Sequence, residues 1–182
     1  MKGTLIVGGG LAGAAAAAAL ARAGRAVTLV EREAEPAHKI CGEFLSGEAQ
    51  ESLAALGVDL AGLGGHVITH VRLVRGARSI RAKLPFQGLG LTRRTLDEFL
   101  LRHAAACGAE VRRGIAVRRI LPDLSVELGE EVLRPEMLFL ATGKHEARGA
   151  ARHATPGGQV GFKNYFRLAA AQQAALAGHV EL

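Results

Sequence analysis

The chain has 182 residues, 49% of them hydrophobic, enough to bury the core of one domain or one and a fraction and unlike a disordered chain. Its formal net charge of +6 comes from arginines scattered among apolar residues. With no basic stripe interleaved with aromatics, a nucleic-acid partner is not expected. Two cysteines, Cys41 and Cys107, make no disulfide framework and predict a reducing, cytoplasmic setting.

The run from Gly3 to Ala21 carries no charge and is close to the length of a bilayer span. It contains a glycine triplet and is built mostly of alanine, and it leads into a second apolar segment rather than a polar mature chain. A span and a secretion signal are therefore both disfavoured. The periodicities fit a strand over Thr4–Val7, a turn over Gly8–Gly10, a helix over Leu11–Ala23 ended by Gly24, and a strand over Ala26–Val30 closing at Glu31. Such a unit has the pattern of a dinucleotide-binding fingerprint. Gly8 permits the tight turn, Gly10 lets backbone approach a pyrophosphate, and Gly13 seats the helix closely. The first-turn residues Leu11 and Ala12 offer N–H groups to the phosphates. Glu31 is placed to accept hydrogen bonds from the adenosine ribose, and its charge argues against a 2′-phosphate there.

The segment after Glu31 reads EREAEPAHKICGEFLSG. Together with the glycine turn and Glu31 it resembles the flavoprotein monooxygenase and geranylgeranyl reductase superfamily, whose members bind FAD in a Rossmann-like domain. The likeness runs from Leu5 to about Leu182. It implies a basic residue after the strand-ending acid, here Arg32. It also implies a Lys-x-Cys-Gly element near the flavin, matched by Lys39, Cys41 and Gly42. Arg93 resembles the arginine that helps hold the FAD phosphates and ribityl region.

Val67–Val74 and Ile80–Leu84 alternate about Gly76-Ala77 and predict a hairpin. Thr95-x-x-Glu98 reads as a capping box for the next helix. In that helix Leu96, Phe99, Leu100, His103 and Cys107 share one face, so Cys107 is expected in the core. Glu110–Arg113 predicts another parallel strand. Ile115–Leu121, Leu124–Leu128 and Glu131–Arg134 resemble the three-stranded meander on the FAD sheet, with Val117 matching a position whose backbone meets adenine. Met137–Leu140 predicts a buried strand. It leads to Ala141, Thr142 and Gly143, which the resemblance returns to the dinucleotide site. Hydroxylase relatives carry Ala-Asp-Gly at this point, so Thr142 weakens a phenol hydroxylase assignment. Val160–Phe166 predicts a strand with Phe162 and Phe166 on one face and Lys163 and Tyr165 on the other.

No metal-ligand pattern, nucleophile elbow or P-loop is visible, and no side chain is identified as catalytic. The expected fold class is α/β: a Rossmann-like FAD-binding domain with a parallel sheet and β-meander, plus the beginning of a β-rich substrate domain. The FAD-binding domain is expected over residues 1–150, with a hairpin inserted at about 66–84 on the substrate side. Residues 151–182 are expected to begin a truncated substrate domain. The chain lacks the Gly-Asp element of complete superfamily members, and Val180-Glu181-Leu182 looks like a strand start without a partner. Both features predict the N-terminal portion of a larger flavoenzyme. The resemblance implies an oxidoreductase, a reductase or a monooxygenase, using FAD, with NAD(P)H as an electron donor and a small apolar substrate, prenyl-type compounds among them. Membrane contact would come only through that substrate, and no oligomeric state is implied. The alternative is a noncatalytic dinucleotide-binding or interaction module.

Overall fold

The computed structural model describes residues 3–151, 158 and 160–182. Of the segment expected to begin a second domain, residues 152–157 and 159 lie outside the described residues. The chain divides into two compact units, residues 1–38 with 94–159 and residues 39–93 with 160–182. The second unit thus takes in much more than the hairpin alone.

The first unit is built on a four-stranded parallel sheet, in which Met137–Leu140 (β10), Thr4–Val7 (β1), Val27–Glu31 (β2) and Glu110–Arg113 (β6) lie side by side in that order. Strand β1 (Thr4–Val7) is buried along its whole length, and helix α1 (Leu11–Arg22) connects it to β2 (Val27–Glu31). Alanine supplies most of α1 and removes bulk where the helix meets the sheet: Gly13, Ala14, Ala17 and Ala18 are its buried residues. Strand β6 (Glu110–Arg113) joins β2 in parallel, as expected, and β10 (Met137–Leu140) returns to the other side of β1. The strand order therefore reverses at β1, and in open α/β sheets ligands bind at the carboxyl ends of strands at such a switch point.

Strands β7 (Arg119–Ile120), β8 (Val126–Leu128) and β9 (Glu131–Leu133) form the antiparallel meander. Ile120, Val126, Leu128 and Leu133 pack with Leu5, Val7 and Val30 in one core, with Val117 and Leu138 partly buried against it. Two expectations fail here. Strand β10 is not buried, because it lies at the sheet edge with one neighbour; Met137, Phe139 and Leu140 are exposed. Cys107 is only half-buried, because it stands in the turn past the end of helix α3 (Arg93–Ala106), with Sγ 3.6 Å from His103 Nε2.

In the second unit β4 (His66–Arg75) and β5 (Arg78–Gly90) form the expected hairpin, both longer than the alternation alone indicates. Strand β3 (Phe44–Leu45) pairs antiparallel with β5, and helix α2 (Gly47–Ala55) follows, capped by the Ser46 hydroxyl, which accepts from Ala49 N–H. After the short helix α4 (Ala170–Leu176), β11 (His179–Glu181) pairs in parallel with β4. The final strand therefore does have a partner, contrary to expectation. Residues 160–166 form no strand: Val160, Phe162 and Phe166 are exposed, because no strand among the described residues pairs with the segment.

Candidate functional site

The turn between β1 and α1 is fixed by close backbone contacts. Gly8 has φ +107°, and a Cβ there would lie 2.5 Å from the Ala141 carbonyl oxygen. A Cβ on Gly13 would lie only 1.8 Å from Gly8 O, a clash with backbone that no rotamer change relieves. Gly10 is different. Its φ of −71° and ψ of −174° are open to any residue, so the conformation does not require glycine. What glycine provides at position 10 is a helix start with no capping side chain. The N–H groups of Leu11, Ala12 and Gly13 open the helix without acceptors four residues back, and the helix dipole adds positive potential.

Glu31 stands at the carboxyl end of β2, next to this turn. Its Oε2 accepts from Gly9 N–H at 2.5 Å and its Oε1 from Glu33 N–H at 2.9 Å. The carboxylate thus braces both the glycine turn and the chain leaving β2. Each oxygen keeps a second lone pair for a further donor. Arg32 only reaches its neighbour Glu33, at 2.8 Å in an exposed pair of the weak kind.

Ala141 lies on the other side of β1, where its N–H donates to Val7 O at 2.8 Å. The Thr142 hydroxyl closes the next turn by donating to His145 O at 2.7 Å, and Gly143 takes φ +64° within that turn. The first unit therefore brings together Gly8, Gly10, Leu11, Ala12, Gly13, Glu31, Ala141, Thr142 and Gly143 at the carboxyl ends of β1, β2 and β10. Val117 packs its partly buried side chain against the sheet–meander core.

Lys39, Cys41, Gly42 and Arg93 belong to the second unit, where they cluster about a residue sequence reasoning did not single out, Glu43. Its Oε1 accepts from Arg93 N–H at 2.8 Å, from Lys163 Nζ at 2.8 Å and from Tyr165 Oη at 2.9 Å. Lys163 Nζ also donates to Lys39 O at 3.2 Å and lies 4.7 Å from the Tyr165 ring centre. Burial pushes the Glu43 carboxyl up, but its hydrogen bonds from Lys163, Arg93 and Tyr165 together hold it below the usual range. For Lys163, burial opposes the charged form, and Glu43 with Tyr165 outweighs it, so the ammonium is held above its usual pKa. The only signal for this cluster in the sequence is the polar pair Lys163 and Tyr165 inside an otherwise apolar segment. Nothing in it points to Glu43.

The capping box is absent. Helix α3 starts at Arg93, so Thr95 is already inside it, and Glu98 turns to Arg113 at 2.6 Å and Arg102 at 2.8 Å. Among the described residues no group of His, Cys, Asp or Glu could hold a metal ion. Nor is any described helix long and apolar enough to cross a membrane.

A glycine turn at the switch point, an uncapped helix start and an acid at the end of β2 define a dinucleotide-binding α/β unit. The chain belongs to the FAD binding domain family, which matches residues 2–145. FAD is the cofactor this membership assigns, and the open turn and uncapped α1 fit its pyrophosphate. The fold is similar to that of the myxobacterial chondrochloren halogenase CndH, at 22% identity and a TM-score of 0.70, covering 80% of this chain and 38% of that one. The halogenase PltM, solved in complex with phloroglucinol and FAD, matches at 21% identity with a TM-score of 0.63, over 77% of this chain and 34% of that one. A geranylgeranyl bacteriochlorophyll reductase-like protein from Thermoplasma acidophilum matches at 23% identity with a TM-score of 0.64, over 79% and 40%. The chain thus spans 34–40% of the length of these solved relatives. No curated protein matches it.

Proposed function

We propose that this chain is the FAD-binding part of a flavin-dependent oxidoreductase, a reductase or monooxygenase, acting on a small apolar substrate of prenyl type. The observation that supports it most is the brace Gly9–Glu31 beside an uncapped α1, because it leaves N–H groups free at the place a pyrophosphate needs them. In this reading the flavin supplies the redox chemistry when bound. Leu11, Ala12 and Gly13 orient its phosphates through backbone N–H groups. Glu31 offers its remaining lone pairs to the adenosine ribose. Ala141, Thr142 and Gly143 wall the other side of the turn. Val117, Arg32, Lys39, Cys41, Gly42 and Arg93 are assigned to the cofactor by the resemblance, and FAD affinity in single variants tests each. The apolar substrate and an NAD(P)H donor rest on the same resemblance.

Calorimetric titration with FAD, NADH and ADP, followed by anaerobic addition of NADPH, tests the reading. Tight FAD binding and bleaching of the bound flavin are expected. FAD binding without bleaching by either nicotinamide would leave a noncatalytic binding module, and no FAD binding would end the proposal.

A further inference from the structure

Helix α3 begins in an electrostatically awkward way. Arg93 and Arg94 occupy its first turn, at the positive end of the helix dipole, and that turn contains no acid. The missing negative charge comes from Glu43, fifty residues earlier in the chain, whose carboxylate accepts the Arg93 N–H at 2.8 Å. Glu43 is held in an unusual backbone state to do this. Its φ is +57°, a left-handed conformation that is uncommon outside glycine and persists only when surroundings fix it. Those surroundings are explicit: Glu43 N–H donates to Cys41 Sγ at 3.4 Å, and Glu43 O accepts from Leu91 N–H at 3.0 Å.

The carboxylate is also largely buried, with 14% of the side chain exposed, and Lys163 with 18%. A carboxylate so withdrawn from water needs a partner charge, and Lys163 is that partner. Lys163 arrives from the irregular segment 160–166, which has no ladder of its own. Its ammonium bridges the Glu43 carboxylate and the Lys39 carbonyl, so it ties both ends of the Lys39–Glu43 loop.

We propose that Glu43 and Lys163 act as a pair of positioning residues: Lys163 anchors the Glu43 carboxylate, which fixes the main-chain amide of Arg93. The proposal rests on the cofactor reading only for its consequence, that FAD affinity follows the pair. The exchange experiment below reads the positioning itself without cofactor.

Residue-resolved amide hydrogen exchange of the 182-residue chain, without FAD, tests it on the wild type and on Lys163→Met, Lys163→Arg, Glu43→Gln and the Glu43→Gln/Lys163→Met double variant. Lys163→Met is expected to speed exchange of the Arg93 amide about tenfold, the scale of losing one hydrogen bond when the carboxylate that accepts it is no longer anchored. The Leu91 amide, bonded to the Glu43 main-chain carbonyl, serves as the internal control and is expected to hold its rate. Lys163→Arg should restore protection, and the double variant should exchange no faster than Glu43→Gln alone. An unchanged Arg93 amide in Lys163→Met or in Glu43→Gln overturns the proposal. So does a parallel rise at Leu91 and Arg93, which marks general loosening. FAD titration of the same samples separates the two ideas. A wild type that ignores FAD sinks the cofactor reading and leaves the exchange result to decide the positioning.

Discussion

Glu31 and Glu43 each place a carboxylate on backbone N–H groups, but they gather their partners over very different distances in the chain. Glu31 braces Gly9 and Glu33, all within one strand–helix–strand unit, so its role follows from spacing and local geometry. Glu43 collects Arg93, Lys163 and Tyr165 from segments 50 to 122 residues away. The first kind of acid is set by a motif, and the second by a fold. The contrast teaches that a short fingerprint can specify a binding turn while saying nothing about how distant charged side chains are neutralised.

The largest effect is expected on the motif side. Gly13→Ala drives a Cβ to 1.8 Å from Gly8 O, a backbone atom that no rotamer change can move aside. The substitution should destabilise the first unit by at least about 3 kcal/mol, the upper end of overpacking costs. Thermal unfolding followed by circular dichroism reads this as a fall of at least about 6 °C. A variant that melts like the wild type would mean the turn is not built as described.

A smaller effect belongs to Glu98. Burial raises its carboxyl, but Arg113 and Arg102 outweigh it and hold the group below the usual 4.5. A carboxylate depressed in the folded state adds stability that is fully present above its unfolded pKa and is lost as pH falls through the folded value. Arg113, a quarter exposed, carries most of this, while Arg102 is itself 79% exposed and contributes little. Glu98→Gln should therefore cost roughly 1–2 kcal/mol at pH 7, and the gap to wild type should close below the folded pKa. Urea melts at pH 7 and pH 3 check this, and a gap that stays constant would refute it. Arg32→Ala marks the low end: an exposed pair with the adjacent Glu33 predicts a change within about 0.5 kcal/mol in the same melts.

Much of the first unit was legible in the sequence because its signals are local. The glycine spacing, the alanine helix, the apolar strands and the turn residues between meander strands each fix their own element. The failures share one cause, tertiary context. Met137–Leu140 has the composition of an interior strand, yet its position at the sheet edge leaves it exposed. Thr95 and Glu98 have capping-box spacing, but α3 begins two residues earlier, where Glu43 supplies the acid. The alternation in 160–166 predicts a strand, but among the described residues no strand pairs with it. Even so, Lys163 and Tyr165 do point together, toward Glu43. The terminal Val180-Glu181 strand has a partner in β4 that no local pattern could announce.

The central claim is that the turn at the end of β1 holds the FAD pyrophosphate. Amide hydrogen exchange with and without FAD tests it at the atoms involved. Leu11, Ala12 and Gly13 are expected to gain the strongest protection on FAD addition, with Gly13→Ala abolishing it. FAD binding that leaves these three amides unprotected would contradict the account.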